Sequence, residues 1–348
     1  MIFLAGDEKR FYDFMARLDD KDKIAVISHI DPDGLSSAVI ASKVVGKVDY
    51  LKFMDYRPGM LKSIIPELKK RKINKIIFTD LSIDSEKEDV DEIEKFAQMV
   101  VIDHHPFEKD LNSERTVFIK AESKYPASYM CHYLFSKIQE IPSWIAAIGI
   151  LGDSPQTYNE NNCEKVFDDF DLKGKQNLCS YLMNISLAFI YFRGREEKVY
   201  DVMIDAKKPE DIIVIKKYSD KVRKEFEEQE EKFEKEKEVY GNLIIFTMNP
   251  KYYVKSLLIN KISTSENYRN NAIFFISNPE SSKDDLLSVS GRSQSEGFDV
   301  GDFLKKVCKD IPNSTAGGHF HAAAAKLPRS YLKIFKENLI REYILMKK

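Results

Sequence analysis

The sequence predicts an α/β protein in two parts. The N-terminal part is a domain on a mostly parallel sheet with helices on both faces, and the C-terminal part is a smaller α/β domain. Two observations predict the first part: apolar runs of strand length, and helical patterns that alternate with them. A third predicts the second part, because strand-like runs resume beyond a charge-dense stretch after about residue 240.

Taken in order, "IAVIS" (Ile24–Ser28) reads as a buried strand and "SSAVIASKVV" after it as a helix. "VDYLKF" is the next strand, followed by a helical pattern over Met60–Arg71. "KIIFTD" (Lys75–Asp80), a helical stretch over Ser85–Phe96 and "QMVVIDHH" continue the alternation. Ala127–Gln139 and Ser143–Leu151 read as further helices. The segment Lys216–Tyr240 is dense in charge with thin apolar spacing and is expected to be a solvated connecting helix. Its apolar seam is too short to favour a partner-binding coiled coil. Strands are expected over Asn242–Met248, Asn271–Ser277 and Leu286–Ser293, with helices over Val254–Ile262, Val300–Cys308 and Tyr331–Met346. The expected division is residues 1–205, a charged helical linker over 206–240, and residues 241–348.

Composition narrows the function. A chain of 348 residues that is 43% hydrophobic and 32% charged is ordinary for a soluble protein. Its formal net charge of −2 lacks the excess of Lys and Arg that a general nucleic-acid coat needs, though a local basic groove stays open. No apolar stretch reaches the ~18 residues of a membrane span, and "MIFLAG" is too short for a signal peptide, so no membrane partner is expected. Cys131, Cys163, Cys179 and Cys308 show neither metal nor disulfide spacing, and a reducing, cytoplasmic setting is the simplest reading.

The informative residues stand where strands end. The first strand runs into "SHIDPDG", the third into "FTD" and the fourth into "IDHH". In an open parallel sheet such residues converge at one carboxyl edge, where ligands bind. His29, Asp31, Asp33, Asp80, Asp103, His104 and His105 are therefore expected in one crevice, with Asp153 of "GILGDS" added to them. "DPDG" alone is ordinary turn chemistry, but four segment ends each offering Asp or His at one edge are not. Carboxylates so crowded repel one another unless cations sit among them. A mixed carboxylate and imidazole set suits Mn²⁺, Fe²⁺, Co²⁺ or Zn²⁺, and six or more ligands are about right for two ions.

These segments also carry a resemblance. "SHIDPDG", "FTDLS", "VVIDHH" and "GILGD" resemble the four successive motifs of the DHH phosphoesterase superfamily. "GGHFHAAAAKL" resembles the glycine–histidine motif of the accompanying DHHA1 domain, and "SVSGRSQSEGFDVGDFL" the arginine-containing segment before it. The resemblance implies an N-terminal DHH domain, a C-terminal DHHA1 domain and an active site in the cleft between them. It implies His29 and Asp31 on one metal, Asp33, His104 and Asp153 on the other, and Asp80 bridging both. Asp103 would orient a neighbouring histidine, and His105 would face the substrate phosphate or the bridging water. Two divalent ions, Mn²⁺ by family, are the implied cofactor. Two positions depart from the pattern: Ala316 stands where the first of three glycines is usual, and Ala324 where a glycine often follows the alanine pair.

Two ions roughly 3.5–4 Å apart would lower the pKa of a bridging water and neutralise charge on a phosphoryl group in line with it. No G-x-S-x-G or Walker-type loop suggests another chemistry. In the second domain Arg292 can grip a phosphate bidentately. Gly317 and Gly318 allow close backbone approach, His319 and His321 flank them, and amides at the start of a following helix could bind an anion. A tight turn into an alanine-rich packed helix is the plainer reading of that stretch. The expected function is hydrolysis of short oligonucleotides or of linear or cyclic dinucleotides to mononucleotides. A RecJ-like exonuclease on single-stranded DNA or RNA is the alternative, since "GRSQSEGFDVG" and the tight "SHIDPDG" spacing are similar to that branch. A catalytically silent scaffold in a replication or repair assembly is disfavoured, because every ligand position is filled. A homodimer is compatible with the sequence.

Overall fold

The computed structural model describes residues 3–154, 178–277 and 285–346. The chain divides into two compact units, Met1–Lys216 and Lys217–Lys348.

The first unit is built on six strands: β1 (Phe3–Ala5), β2 (Ile24–His29), β3 (Tyr50–Met54), β4 (Lys75–Thr79), β5 (Gln98–Asp103) and β6 (Thr116–Ala121). Their order is β1-β6-β5-β4-β2-β3. β2 to β6 are mutually parallel, and β1 lies antiparallel on β6 as an edge. The strands read as near-continuous apolar runs because both faces are covered. Ala25, Ile27, Ile76, Phe78, Met99 and Val101 join one apolar cluster with Met60, Ile64 and Val90. Those last three come from α3 (Met60–Lys70) and α4 (Lys87–Glu94). The alternate side chains, among them Val26, Ile77 and Val100, are equally buried and by the period of two point the other way.

Three helices pack together in the first unit: α2 (Pro32–Val45), α5 (Ala127–Phe135) and α6 (Ser143–Gly152). α2 starts cleanly, with Asp31 as N-cap and Pro32 at the first turn. Every residue from Pro32 to Ser42 is buried, so it is covered on all sides. β1, β6 and the helices Glu8–Ala16, Leu178–Tyr191 and Glu197–Asp205 are elements the sequence reading did not pick out. β6 escaped because "TVFIKA" carries a lysine, yet all six of its residues are buried, Lys120 included.

The second unit also has six strands: β7 (Glu238–Tyr240), β8 (Leu243–Met248), β9 (Ala272–Ser277), β10 (Leu286–Ser293), β11 (Thr315–Gly318) and β12 (Ala322–Pro328). The order is β11-β12-β10-β9-β8-β7, with only β8 and β9 parallel. The helix Lys255–Ser263 lies between those two in the chain, as a parallel crossover requires. The helices Val300–Cys308 and Leu332–Met346 share an apolar cluster with Leu287, Val289, Ala323 and Ala325.

Three expectations are corrected here. The helix Lys216–Glu236 is not simply solvated: Val222, Phe226, Gln229 and Phe233 are buried at spacings of four, three and four, and Phe233 packs edge-on against Phe246 of β8. No helix follows the glycine–histidine stretch either. The alanine run is strand β12, with Ala323, Ala325 and Leu327 buried and Ala324 and Lys326 exposed. Pairing with β10 and β11 overrides the high helix propensity of alanine. Cys179 is disulfide-bonded, against the reading that no cysteine had disulfide spacing. Among the described residues no helix is long and apolar enough to cross a membrane.

Candidate metal centre

Eight sequence-predicted residues gather beyond the carboxyl ends of β2, β4 and β5. His29 closes β2, Asp80 follows β4, and Asp103 closes β5 with His104 and His105 directly after it. Asp31 and Asp33 stand at the start of α2, and Asp153 caps the end of α6.

Asp80 is the centre of the group. It is 2 % exposed and has φ of 57°, a left-handed backbone that a non-glycine residue rarely adopts but Asp tolerates. Its Oδ2 lies 3.6 Å from His29 Nδ1, and its Oδ1 lies 3.4 Å from His104 Nε2 and 3.9 Å from His105 Nδ1. Two sets of potential metal-ligand atoms result, His29 with Asp31 and Asp80, and Asp80 with His104 and His105. Within each set the ligand atoms lie within 4.8 Å of one another, and Asp80 belongs to both. His29 Nδ1 and Asp80 Oδ2 are buried without a hydrogen-bond partner. Buried polar atoms left so in the middle of carboxylates and imidazoles are what a divalent cation would satisfy. The residues present fit one.

Neighbouring groups set the orientation of each ligand. Asp31 Oδ1 accepts from Gly34 N (2.8 Å), which leaves Oδ2 3.0 Å from His29 Nδ1. A side chain at Gly34 would strike the His29 carbonyl, since its Cβ would lie 2.3 Å from that oxygen. Asp33 accepts from Ala127 N (2.7 Å) and Ser128 N (2.9 Å), so α5 begins on this carboxylate. The first glycine of "GILGD" makes room for it: a Cβ on Gly149 would lie 2.3 Å from Ser128 Oγ and 2.8 Å from Asp33 Oδ1. His104 Nδ1–H donates to the Ser123 carbonyl (3.1 Å), which directs Nε2 toward Asp80 and, at 3.9 Å, Asp33 Oδ2. His105 Nδ1–H donates to Asp103 Oδ1 (2.7 Å).

The electrostatics show a site short of positive charge. Burial first, then the charges of Asp80 and Asp153, hold the Asp33 carboxyl well above its usual range. Burial, reinforced by Asp80, pushes Asp153 up to about 7. Burial opposes the charged form of His29 and His104, but the surrounding carboxylates outweigh it and raise both well above the imidazole value. A cation bound there would need these imidazoles neutral and would displace any proton they carry.

Several contributors were missed by sequence reasoning. Lys120 of β6 is fully buried and donates to Asp103 Oδ2 and, at 3.4 Å, to Asp84 Oδ2. Burial would raise Asp103, but His105 and Lys120 outweigh it and keep this carboxyl well below its usual range. Asp84 also accepts from Glu108 N (2.9 Å), tying the segment after "IDHH" to the one after "FTD". Asp55, following β3, has Oδ1 3.9 Å from His29 Nε2. The rule that residues after parallel strands converge would have found it; nothing in "TVFIKA" marks Lys120.

The other five predicted residues stand in the second unit, at one end of its sheet. Arg292 lies near the end of β10, and Gly317 and Gly318 close β11. His319 and His321 lie in the tight turn between β11 and β12, closed by His319 N donating to Ala322 O (2.7 Å). His321 Nδ1–H donates to the Ser293 carbonyl (2.9 Å). Gly318 has φ of 148°, and a Cβ there would lie 2.4 Å from the Ala322 carbonyl. Ala324, in place of the usual glycine, pairs with Gly317, around which a Cβ would meet nothing within 4 Å.

Comparison with known proteins bears on this arrangement. Residues 23–152 match the model of the DHH family, N-terminal domain, and residues 256–344 that of the DHHA1 domain. No curated protein matches the sequence. Among solved structures, exonuclease RecJ bound to manganese superposes with a TM-score of 0.69 at 15% identity, over 97% of this chain and 94% of that one. CDC45 from Entamoeba histolytica gives 0.61 at 10% identity, over 97% and 98%. The pGpG-specific phosphodiesterase PggH from Vibrio cholerae gives 0.52 at 15% identity, over 93% and 99%.

Proposed function

The chain belongs to the DHH/DHHA1 phosphoesterase superfamily, a class of metal-dependent hydrolases, and from that premise we propose that it is a two-metal phosphodiesterase. Its substrates are short oligonucleotides or linear or cyclic dinucleotides, cleaved to mononucleotides. The observation that carries the reading is the place of Asp80 between two histidines, its Oδ2 3.6 Å from His29 Nδ1 and its Oδ1 3.4 Å from His104 Nε2. One cation, Mn²⁺ by analogy with the manganese-bound RecJ, would be held by His29, Asp31 and Asp80. The other would be held by Asp80, His104, Asp33 and Asp153.

Two divalent cations bound there supply a lowered water pKa and neutralisation of phosphoryl charge. The rest falls to the chain's own side chains. Asp80 keeps the two ligand sets in register, its backbone pinned by Asp80 N donating to Ile102 O (2.9 Å). Asp103, anchored by Lys120, fixes His105 in the tautomer with its proton on Nδ1, leaving Nε2 for the substrate phosphate or the attacking water. Arg292, Gly317, Gly318, His319 and His321 bind the nucleotide.

A second reading has its own support. The superposition on RecJ is better than that on the pGpG phosphodiesterase, which favours an exonuclease acting on single strands. One experiment separates them: labelled pApA, cyclic di-AMP and a strand of about 20 nucleotides are incubated with the protein and Mn²⁺. Fast cleavage of the dinucleotides with the strand untouched supports the first reading. Progressive shortening of the strand replaces it with the second, and silence on all three defeats both.

A further inference from the structure

On the face of the second sheet turned from its apolar core lies a buried cation that the mechanism above leaves unused. Lys255 opens the helix Lys255–Ser263, is only 8 % exposed, and donates from Nζ to the Ser288 hydroxyl (2.6 Å). Ser288, Ser290 and Arg292 alternate along β10 on that face, while Leu287 and Val289 point into the core. Across the ladder they stand beside Lys326, Ala324 and Ala322 of β12. Arg292 uses Nε on Asn260 Oδ1 and Nη1 on the Gly291 carbonyl, each at 2.8 Å.

The charges acting on Lys255 are those of Arg292 and Lys326, both of its own sign. Among the described residues none of the three has a carboxylate partner. Ile273, Phe275 and Ser277, which β9 presents beside Arg292, Ser290 and Ser288, carry no charge. Burying an ammonium beside a guanidinium with no counter-ion is costly, and a bound anion removes the cost. Ser290, 5 % exposed, stands on β10 between Ser288, which Lys255 reaches, and Arg292, and its hydroxyl makes no hydrogen bond among the described residues.

We propose that Lys255 is a phosphate-binding residue: with Arg292 and the Ser290 hydroxyl it takes up one phosphoryl group of the substrate, and its charge sets how tightly that group is held. The proposal rests on the reading of the second unit as the substrate-binding part of the enzyme. Arg292 owes its role to the family motif; Lys255 owes its role to packing alone. Burial, then the two neighbouring cations, lower its ammonium to about 7, so an arriving anion restores the charged form near neutrality.

The test is sulfate binding to the full-length protein in the presence of chelator, where neither turnover nor metal contributes. Sulfate keeps a fixed charge across neutral pH, so any pH dependence belongs to the protein. The wild type should bind roughly tenfold more weakly at about pH 8.5 than at about pH 6, as Lys255 loses its proton. Lys255→Met should bind about tenfold or more weakly than wild type at the lower pH and lose the pH dependence, whereas Lys255→Arg should bind with none. Wild-type affinity in Lys255→Met, a flat wild-type profile or no sulfate binding at all would overturn the proposal. Intact sulfate binding with no cleavage of any nucleotide would overturn the phosphodiesterase reading and leave this one standing.

Discussion

The two units hold opposite electrostatic problems. In the first, Asp31, Asp33, Asp80 and Asp153 crowd together, which raises the carboxyls of Asp33 and Asp153 and the imidazoles of His29 and His104. In the second, Lys255 is buried and Arg292 half-buried, neither has a carboxylate partner among the described residues, and burial depresses both, Arg292 to about 10. One region is short of positive charge and the other of negative. The contrast also shows two ways to build a site. Carboxylates are collected by the topology of a parallel sheet, whereas the cations come from separate elements, Lys255 from a helix, Arg292 from β10 and Lys326 from β12.

The largest effect should come from removing the shared carboxylate. Asp80→Asn preserves shape and tolerates the left-handed backbone, yet turnover should fall by at least about a thousandfold, the weight of several kcal/mol of charge stabilisation. Circular dichroism should be unchanged; near-normal activity would end the two-cation assignment. Next in size is Asp103→Asn, which strips Lys120 of its closest anion. Activity should drop roughly 10- to 100-fold, and urea denaturation should show a loss of about 3–5 kcal/mol, the scale for breaking a buried pair. A variant as stable as wild type would mean that Asp84 alone balances Lys120.

On the cationic side, Arg292→Ala should raise KM about 10- to 100-fold with little change in kcat, as loss of a charge-assisted hydrogen bond implies. Arg292→Lys should not restore it, because the planar fork is lost. An unchanged KM would detach Arg292 from the substrate. The smallest effect is on stability. The folded Lys255 titrates at about 7, below its unfolded value of about 10.4. Between those values the unfolded chain holds more protons, so stability should rise with pH across that window. Lys255→Met should flatten the rise in denaturation curves taken at about pH 7 and pH 9. A slope that survives the substitution would show that Lys255 is not its source.

Much of the first site was legible because its residues sit where apolar runs stop. "IAVISHIDPDG" and "QMVVIDHH" mark strand, strand end and ligands in one reading, and parallel topology does the rest. Lys120 was illegible for the same reason the others were plain. A lysine inside a strand normally signals an exposed face, and only the distant Asp84 and Asp103 make its burial tolerable. The run Ala322–Ala325 misled by propensity, since alanine favours helix until a partner strand satisfies its backbone. Asp55 could have been read from "KFMD" but lies beyond a strand that ends in half-polar sequence.

What the sequence by itself determined is the set of strand ends, the acid and imidazole chemistry they bear, and the cations that chemistry requires. Those follow from side-chain type and local period, which need no knowledge of distant neighbours. The tertiary structure alone decided which buried charges are paired. Lys120 meets Asp103 across a ladder, Asp33 opens a helix 94 residues away, and Lys255 lies in the field of Arg292 with no carboxylate partner among the described residues. The reason is physical: the cost of a buried charge depends on what stands within a few ångströms, and only the folded chain brings those groups together.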